Sequence, residues 1–111
     1  MAFPYDGLDA KALLHAAIEF SGTGDNILVT PPAGQRVVVY QLFALADAAT
    51  IFRFKSGGTS LTGPLSIPAG GSITLDNNRE PWFVTAIGED FILNQSGTAT
   101  VGGVVGYVFA R

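Results

Sequence analysis

The segment FRFKSGGTSLTGPLSIPAGGSITL, residues 52–75, is cut every few positions by Gly57-Gly58, Gly63-Pro64, Pro68 and Gly70-Gly71. Proline blocks helix interiors, and paired glycines admit the positive φ angles of two-residue hairpins, so a chain punctuated this densely builds short strands joined by tight turns. A phosphate cradle is the other reading of a glycine-rich stretch with a lysine. It fails because Lys55 precedes the glycines and Gly63-Pro64 would stop a helix within one turn. The pattern between turns agrees with strands: in TIFRFKS, Phe52 and Phe54 fall on one face while Ile51, Arg53 and Lys55 fall on the other. PPAGQR (31–36) and IPAGGS (67–72) share a Pro-Ala-Gly unit leading into a strand, read as one type I turn used twice with Pro second and Gly fourth.

Strands are expected near 17–21, 26–30, 36–46, 49–56, 65–67, 71–76, 82–87, 90–95 and 98–110. Before them, Pro4 and the unpatterned Phe3 and Tyr5 read as an extended arm, and Asp9 can cap a short helix over residues 10–16 that Ala, Leu and Lys favour. The expected organisation is an arm with a short helix (1–16) followed by one domain (17–111). That domain should be all-β: an antiparallel β-sandwich, jelly-roll-like, of about eight strands. Two runs, RVVVYQLFALA and TVGGVVGYVFA, are apolar at nearly every position, as in strands covered on both faces. A two-layer sandwich covers only one face, so the second cover must come from the arm or from a neighbouring subunit. Gly102, Gly103 and Gly106 mark bulges or close backbone approaches in the last of these runs.

Charge supports the same conclusion. Charged residues make up 14% of the chain, against about 25% in typical soluble domains. A domain of this size has a high ratio of surface to volume, so the missing charge points to surface covered by another protein subunit. The six basic residues are scattered and the net charge is −3, which argues against nucleic acid, whose binding requires clustered cations. No window reaches a membrane span, and the N-terminus has Asp6 and Asp9 where a signal peptide has basic residues. With no cysteine, disulfides and thiolate metal sites are excluded, and a soluble protein made in a cytoplasm is expected.

The inventory is poor in catalytic groups. His15 is the only histidine, so neither a Ser–His–acid triad nor a transition-metal site is supported, and no enzyme activity and no cofactor are expected. Glu89-Asp90, and Asp76 with Glu80, read as solvated turn acids. Asp76, Asn77, Asn78 and Glu80 could offer oxygens to a hard cation, but Asp and Asn more commonly bond their own backbone in turns. Asn94-Gln95-Ser96 matches a glycosylation acceptor that has no leader to direct it. Trp82 and Phe83 are adjacent, so at most one faces the core; the other is a candidate for an interface or for a glycan platform. The arm residues Phe3, Pro4, Tyr5, Leu8, Leu13 and Leu14 are candidate interface groups.

The string FSGTGDNILVTPPAGQRVVVYQLFALADAATIFRFKSGGTSLTGPLSIPAGGSITL, followed by PWFVTAIGEDFILNQSGTATVGGVVGYV, resembles small β-sandwich virion proteins of tailed bacteriophages. The similarity lies in the order of its motifs: an SGTGDN loop, an AG-basic-V-V strand, an FKSGGT–LTGP hairpin, AGG before a strand, an aromatic segment before G-E, then VGG and YV. It covers residues 20–108. It implies a head decoration or cement subunit that stabilises the capsid by bridging major capsid proteins, works as a homo-oligomer, commonly a trimer at threefold positions, and resides on the virion surface after synthesis in the host. A tail- or fibre-associated module that binds host glycan through Trp82 is the alternative that the resemblance leaves open.

Overall fold

Turn chemistry sets where each strand can start, and the observed strands begin and end close to the turn residues. The computed structural model describes residues 13–111. They form β1 (Leu14–Phe20), β2 (Gly24–Val29), β3 (Arg36–Ala46), β4 (Thr50–Ser56), β5 (Thr59–Ser60), β6 (Leu65–Ile67), β7 (Ser72–Leu75), β8 (Phe83–Val84), β9 (Phe91–Gln95) and β10 (Val101–Ala110). The count is ten where about eight were expected: each of the nine runs read from the sequence holds a strand, with β8 only two residues of 82–87, and the two-residue β5 is added. β5 is the return of the Gly57-Gly58 hairpin, and β8 is a short rejoining of the edge after an excursion. The Pro-Ala-Gly turns recur as expected but are of a different type. Gln35 N donates to Pro32 O, and Gly71 N to Pro68 O, which puts each Pro first. Gly34 and Gly70 are third, at φ 78° and 76°, the type II geometry that only glycine enters without strain.

Two five-stranded antiparallel sheets pack as a sandwich. Sheet A runs β1-β10-β3-β7 with β8 also on β3; sheet B runs β2-β9-β4-β5 with β6 also on β4. The pairings nest: β1 with β10, β2 with β9, β3 with β7, β4 with β6. The chain is therefore a long antiparallel ribbon, folded over so that its early strands lie beside its late ones.

The short helix expected over residues 10–16 is not what residues 14–16 form. Leu14–Phe20 is strand throughout, paired residue by residue with β10 from Leu14↔Tyr107 to Phe20↔Val101. Its even positions Ala16, Ile18 and Phe20 pack on the core. A helix this short has an unfavourable nucleus, and the ladder plus the burial of Ile18 outweighs the local preference of Ala and Leu. The described residues contain no helix; residues 10–12, and Phe3, Pro4, Tyr5 and Leu8 of the arm, lie outside them.

Alternation in β4 delivers Phe52 and Phe54 to the core and leaves Ile51 and Arg53 outside. Phe54, Phe91 and Phe83 stack at 5.0–5.7 Å between centroids, joining β4, β9 and β8 across the layers. Such contacts add to a burial worth about 2 kcal/mol or more per large side chain. Toward the opposite end the core closes on a polar node. Buried Gln95 accepts from Thr50 Oγ1 and donates to the carbonyls of Gly22 and Ala99, which ties two loops and the start of β4 to β9.

β10 and β3 make the longest ladder, ten partners with one register shift at Gly106/Tyr107. Both uses of glycine occur in it: Gly106 borders the bulge, and Gly103 sits where β3 crosses closest. A Cβ on Gly103 would overlap the Phe43 carbonyl oxygen, whereas one on Gly102 would meet nothing within 4 Å. The two neighbours make a controlled comparison. Gly103→Ala should cost about 3 kcal/mol or prevent folding, since backbone rather than a flexible side chain must move, while Gly102→Ala should be neutral or slightly stabilising. Urea unfolding of both variants measures the difference; equal midpoints would show that the close approach is not needed.

Candidate functional site

In β3 and β10 the inward positions supply core, so their outward positions decide what sheet A presents. Leu42, Ala44 and Ala46 face in; Gln41, Phe43 and Leu45 face out. Register then assembles rows across the outer face: Ala17, Val104, Phe43 and Thr74 in one, Glu19, Gly102, Leu45 and Ser72 in the next. A further row joins Val108, Val38 and Val84. Phe43 is 41% exposed, Leu45 43% and Val104 36%. The centre of the face carries no charged side chain; Glu19 lies on the edge strand and Arg36 at the end of β3. Beside Phe43 and Val104 lies a shallow groove of about 160 Å³, rimmed by Gln41, Thr74, Asp76 and Asn77.

The outer face of sheet B exposes Ile27 and Ile51 and also carries a polar cluster. Lys55 Nζ lies 3.0 Å from Asp25 Oδ1, and Asn94 Nδ2 donates to the same carboxylate at 2.7 Å, bridging β2, β9 and β4. The Asn94 hydrogen bond first, then the hydrogen bond and charge of Lys55, hold the Asp25 carboxyl below its ordinary value. Lys55 is thus committed to a strand-to-strand ion pair. Asn94 of the NQS triplet is committed to the same cluster in the middle of β9.

The pair Trp82-Phe83 divides as strand parity requires. Phe83 turns inward onto Phe54 and Phe91, while Trp82 is 43% exposed. Trp82 is fixed at both ends, its backbone N–H donating to Val39 O and its Nε1 to Asp76 O, each at 2.7 Å. These bonds close the loop 76–82 at the sheet edge, between β7 and β8. Within that loop Asp76, Asn77, Asn78 and Glu80 are all exposed, and Asn78 Oδ1 accepts from the Arg79 N–H, the turn-making use of an Asn side chain. Among the described residues no group of three His, Asp or Glu side chains is placed to hold a metal.

Glu89 and Asp90 do separate work. Glu89 Oε1 accepts from buried Ser56 Oγ at 2.6 Å and Ser56 Oγ accepts from Ala86 N, which pins this loop onto β4, while Asp90 contributes its backbone carbonyl, accepting from Gly57 N in the turn after β4. His15 lies on the outer face of sheet A with Nε2 3.1 Å from Gln41 Nε2. Leu13 is half-buried and Leu14 exposed, opposite Tyr107. The sequence reading did not single out Phe43, Leu45, Val84 and Val104. Alternation inside the continuous apolar runs was the available signal, since it splits each run into an inner and an outer set.

Neither protein-family models, nor curated proteins, nor solved structures give a match to this chain.

The Asp25 cluster generates a pH-dependent expectation. A carboxyl whose folded value is depressed adds stability above its unfolded value of 3.8, and that stability is lost as pH falls through the lower folded value. The carboxylate is 43% exposed, so solvent screening limits the effect to about 0.5 kcal/mol. Asp25→Asn should be less stable than the parent by this amount at pH 7, and the gap should shrink as the pH is taken down past 3.8 and through the lower folded value. A gap independent of pH would assign the loss to packing.

Proposed function

We propose that the chain is a bacteriophage virion structural protein, a capsid decoration or cement subunit with a jelly-roll sandwich that docks on the assembled shell through the outer face of sheet A. The exposed apolar rows around Phe43, Leu45, Val84 and Val104 carry this reading. They form a face with no central charge on a chain already poor in charge, the surface expected of a subunit that works against another protein. The strand orders β1-β10-β3-β7 and β2-β9-β4-β6 support the jelly-roll assignment, because nested pairing of first with last strands is what a ribbon rolled into two layers produces. The motif order over residues 20–108 supports the virion assignment. The mechanism is mass action. A subunit that binds the assembled lattice better than free capsid protein stabilises the lattice, and a homo-oligomer multiplies weak contacts into avidity.

The arm belongs to the same reading. Phe3, Pro4, Tyr5 and Leu8 place apolar groups ahead of the sandwich, where docking on capsid protein or on another copy gives them burial. Because β1 starts at Leu14, the informative deletion is of residues 2–12.

The test is binding to undecorated phage heads, followed by sedimentation and by cryo-EM of the decorated particle. Saturable binding at a fixed ratio to capsid protein is expected, with Phe43→Asp weakening it by about thirtyfold and the arm deletion weakening it while the β-rich circular dichroism spectrum persists. Trp82→Ala should leave head binding intact. Absence of binding to any head, with retention on a glycan array lost in Trp82→Ala, would establish the host-recognition alternative instead.

A further inference from the structure

Two sheets have four edges, and three of these are guarded against pairing. β2 breaks register between Ile27 and Val29 and runs on to Pro31-Pro32. The β5 and β6 edge consists of pieces of two and three residues. The β7 and β8 edge is split by the loop 76–82, which contains Pro81. β1 is different: its seven residues run in unbroken register against β10, contain no proline and no lysine, and have no partner strand on their other side among the described residues. Free rows of N–H and C=O groups on such an edge are a template for another strand.

The residues of β1 select that strand. It reads LHAAIEF. With a second copy turned about a twofold axis at Ala17, antiparallel pairing sets Leu14 opposite Phe20, His15 opposite Glu19, Ala16 opposite Ile18, and Ala17 opposite itself. Each pair matches in face and in chemistry. Leu14, Ala16, Ile18 and Phe20 share the inner face, where Leu14 is 47% exposed in the single chain and would be covered by Phe20 of the second copy. His15, Ala17 and Glu19 share the outer face. The 3.1 Å contact with Gln41 engages His15 Nε2 and leaves Nδ1 as the ring nitrogen for a group opposite. An imidazole N–H there is the donor that a carboxylate accepts from. Small Ala17 at the axis lets the strands close without a clash.

We propose that β1 pairs with β1 of a second copy in this register, joining two copies of sheet A into one continuous sheet across a twofold axis. The partner is the chain itself because the edge is self-complementary: shifting the register by two residues would lose both His15–Glu19 pairs. This contact gives a dimer, not the threefold cluster that the phage resemblance implies, and it stands without the capsid reading, since it requires no capsid.

The experiment is sedimentation velocity and light scattering of the full chain alone, from about 1 µM to several hundred µM, with hydrogen exchange of the β1 amides. A monomer–dimer equilibrium is expected, with β1 protection rising as dimer forms. His15→Glu sets like charges opposite at two symmetric places and should weaken the dimer about tenfold. Combining His15→Glu with Glu19→Lys exchanges acid and base and should restore the dimer to within about threefold of the parent. A monomer at every concentration, a trimer, or a dimer insensitive to His15→Glu would each overturn the proposal. Should the variants fail to fold, the oligomeric state and β1 protection of the unmodified chain still decide it.

Discussion

The contact on which this molecule depends is backbone against backbone, where Gly103 of β10 meets Phe43 and Ala44 of β3. β10 is an inner strand of sheet A, with β1 on one side and β3 on the other. If it could not approach β3, the sheet would part into a two-stranded ribbon and an unsupported edge, and isolated ribbons are at best marginal in water. Val101 and Val105 of β10, and Val37, Val39 and Leu42 of β3, would leave the core together. Everything described on the outer face follows from the same ladder, because it sets Val104 beside Phe43 and Gly102 beside Leu45.

The two outer faces differ in where their polar groups sit. The outer face of sheet B carries the polar cluster of Asp25, Lys55 and Asn94, with Ile27 and Ile51 exposed beside it. Sheet A shows valine, leucine and phenylalanine, and its polar groups sit at its margins. A strand that is apolar on both sides gains nothing for the isolated sandwich from its outward half. The cost of keeping that half apolar is offset only when something covers it, which is why composition and geometry lead to the same expectation of a partner.

What could be read from the sequence was whatever is encoded locally. Gly57-Gly58 and the two Pro-Ala-Gly units placed the turns, and alternation in residues 50–56 oriented β4 correctly. Strand parity established that only one of Trp82 and Phe83 could be core. Which one depends on the pairing of Phe83 with Val39, a register that local pattern does not contain. The helix expected at residues 10–16 misjudged residues 14–16 for the same reason: Ala and Leu favour helix locally, but the partner that makes them strand lies about ninety positions away in β10. Likewise Gln95 with Thr50, and Ser56 with Glu89, are joined only by the fold, and nothing near either residue announces the other.

The nested ribbon also constrains how the chain comes into being. The strands nearest the fold of the ribbon, β4 and β6, are close in sequence and can meet early, whereas β10 comes last of the ten described strands and lies between β1 and β3. Sheet A therefore cannot close until β10 is available. Until residue 110 has emerged, β1 and β3 hold apolar faces with a gap one strand wide between them, and a nascent chain in that state is a target for chaperones and for other nascent chains of its kind. Arrival of β10, more than any local event, is the moment at which these strands become a sandwich.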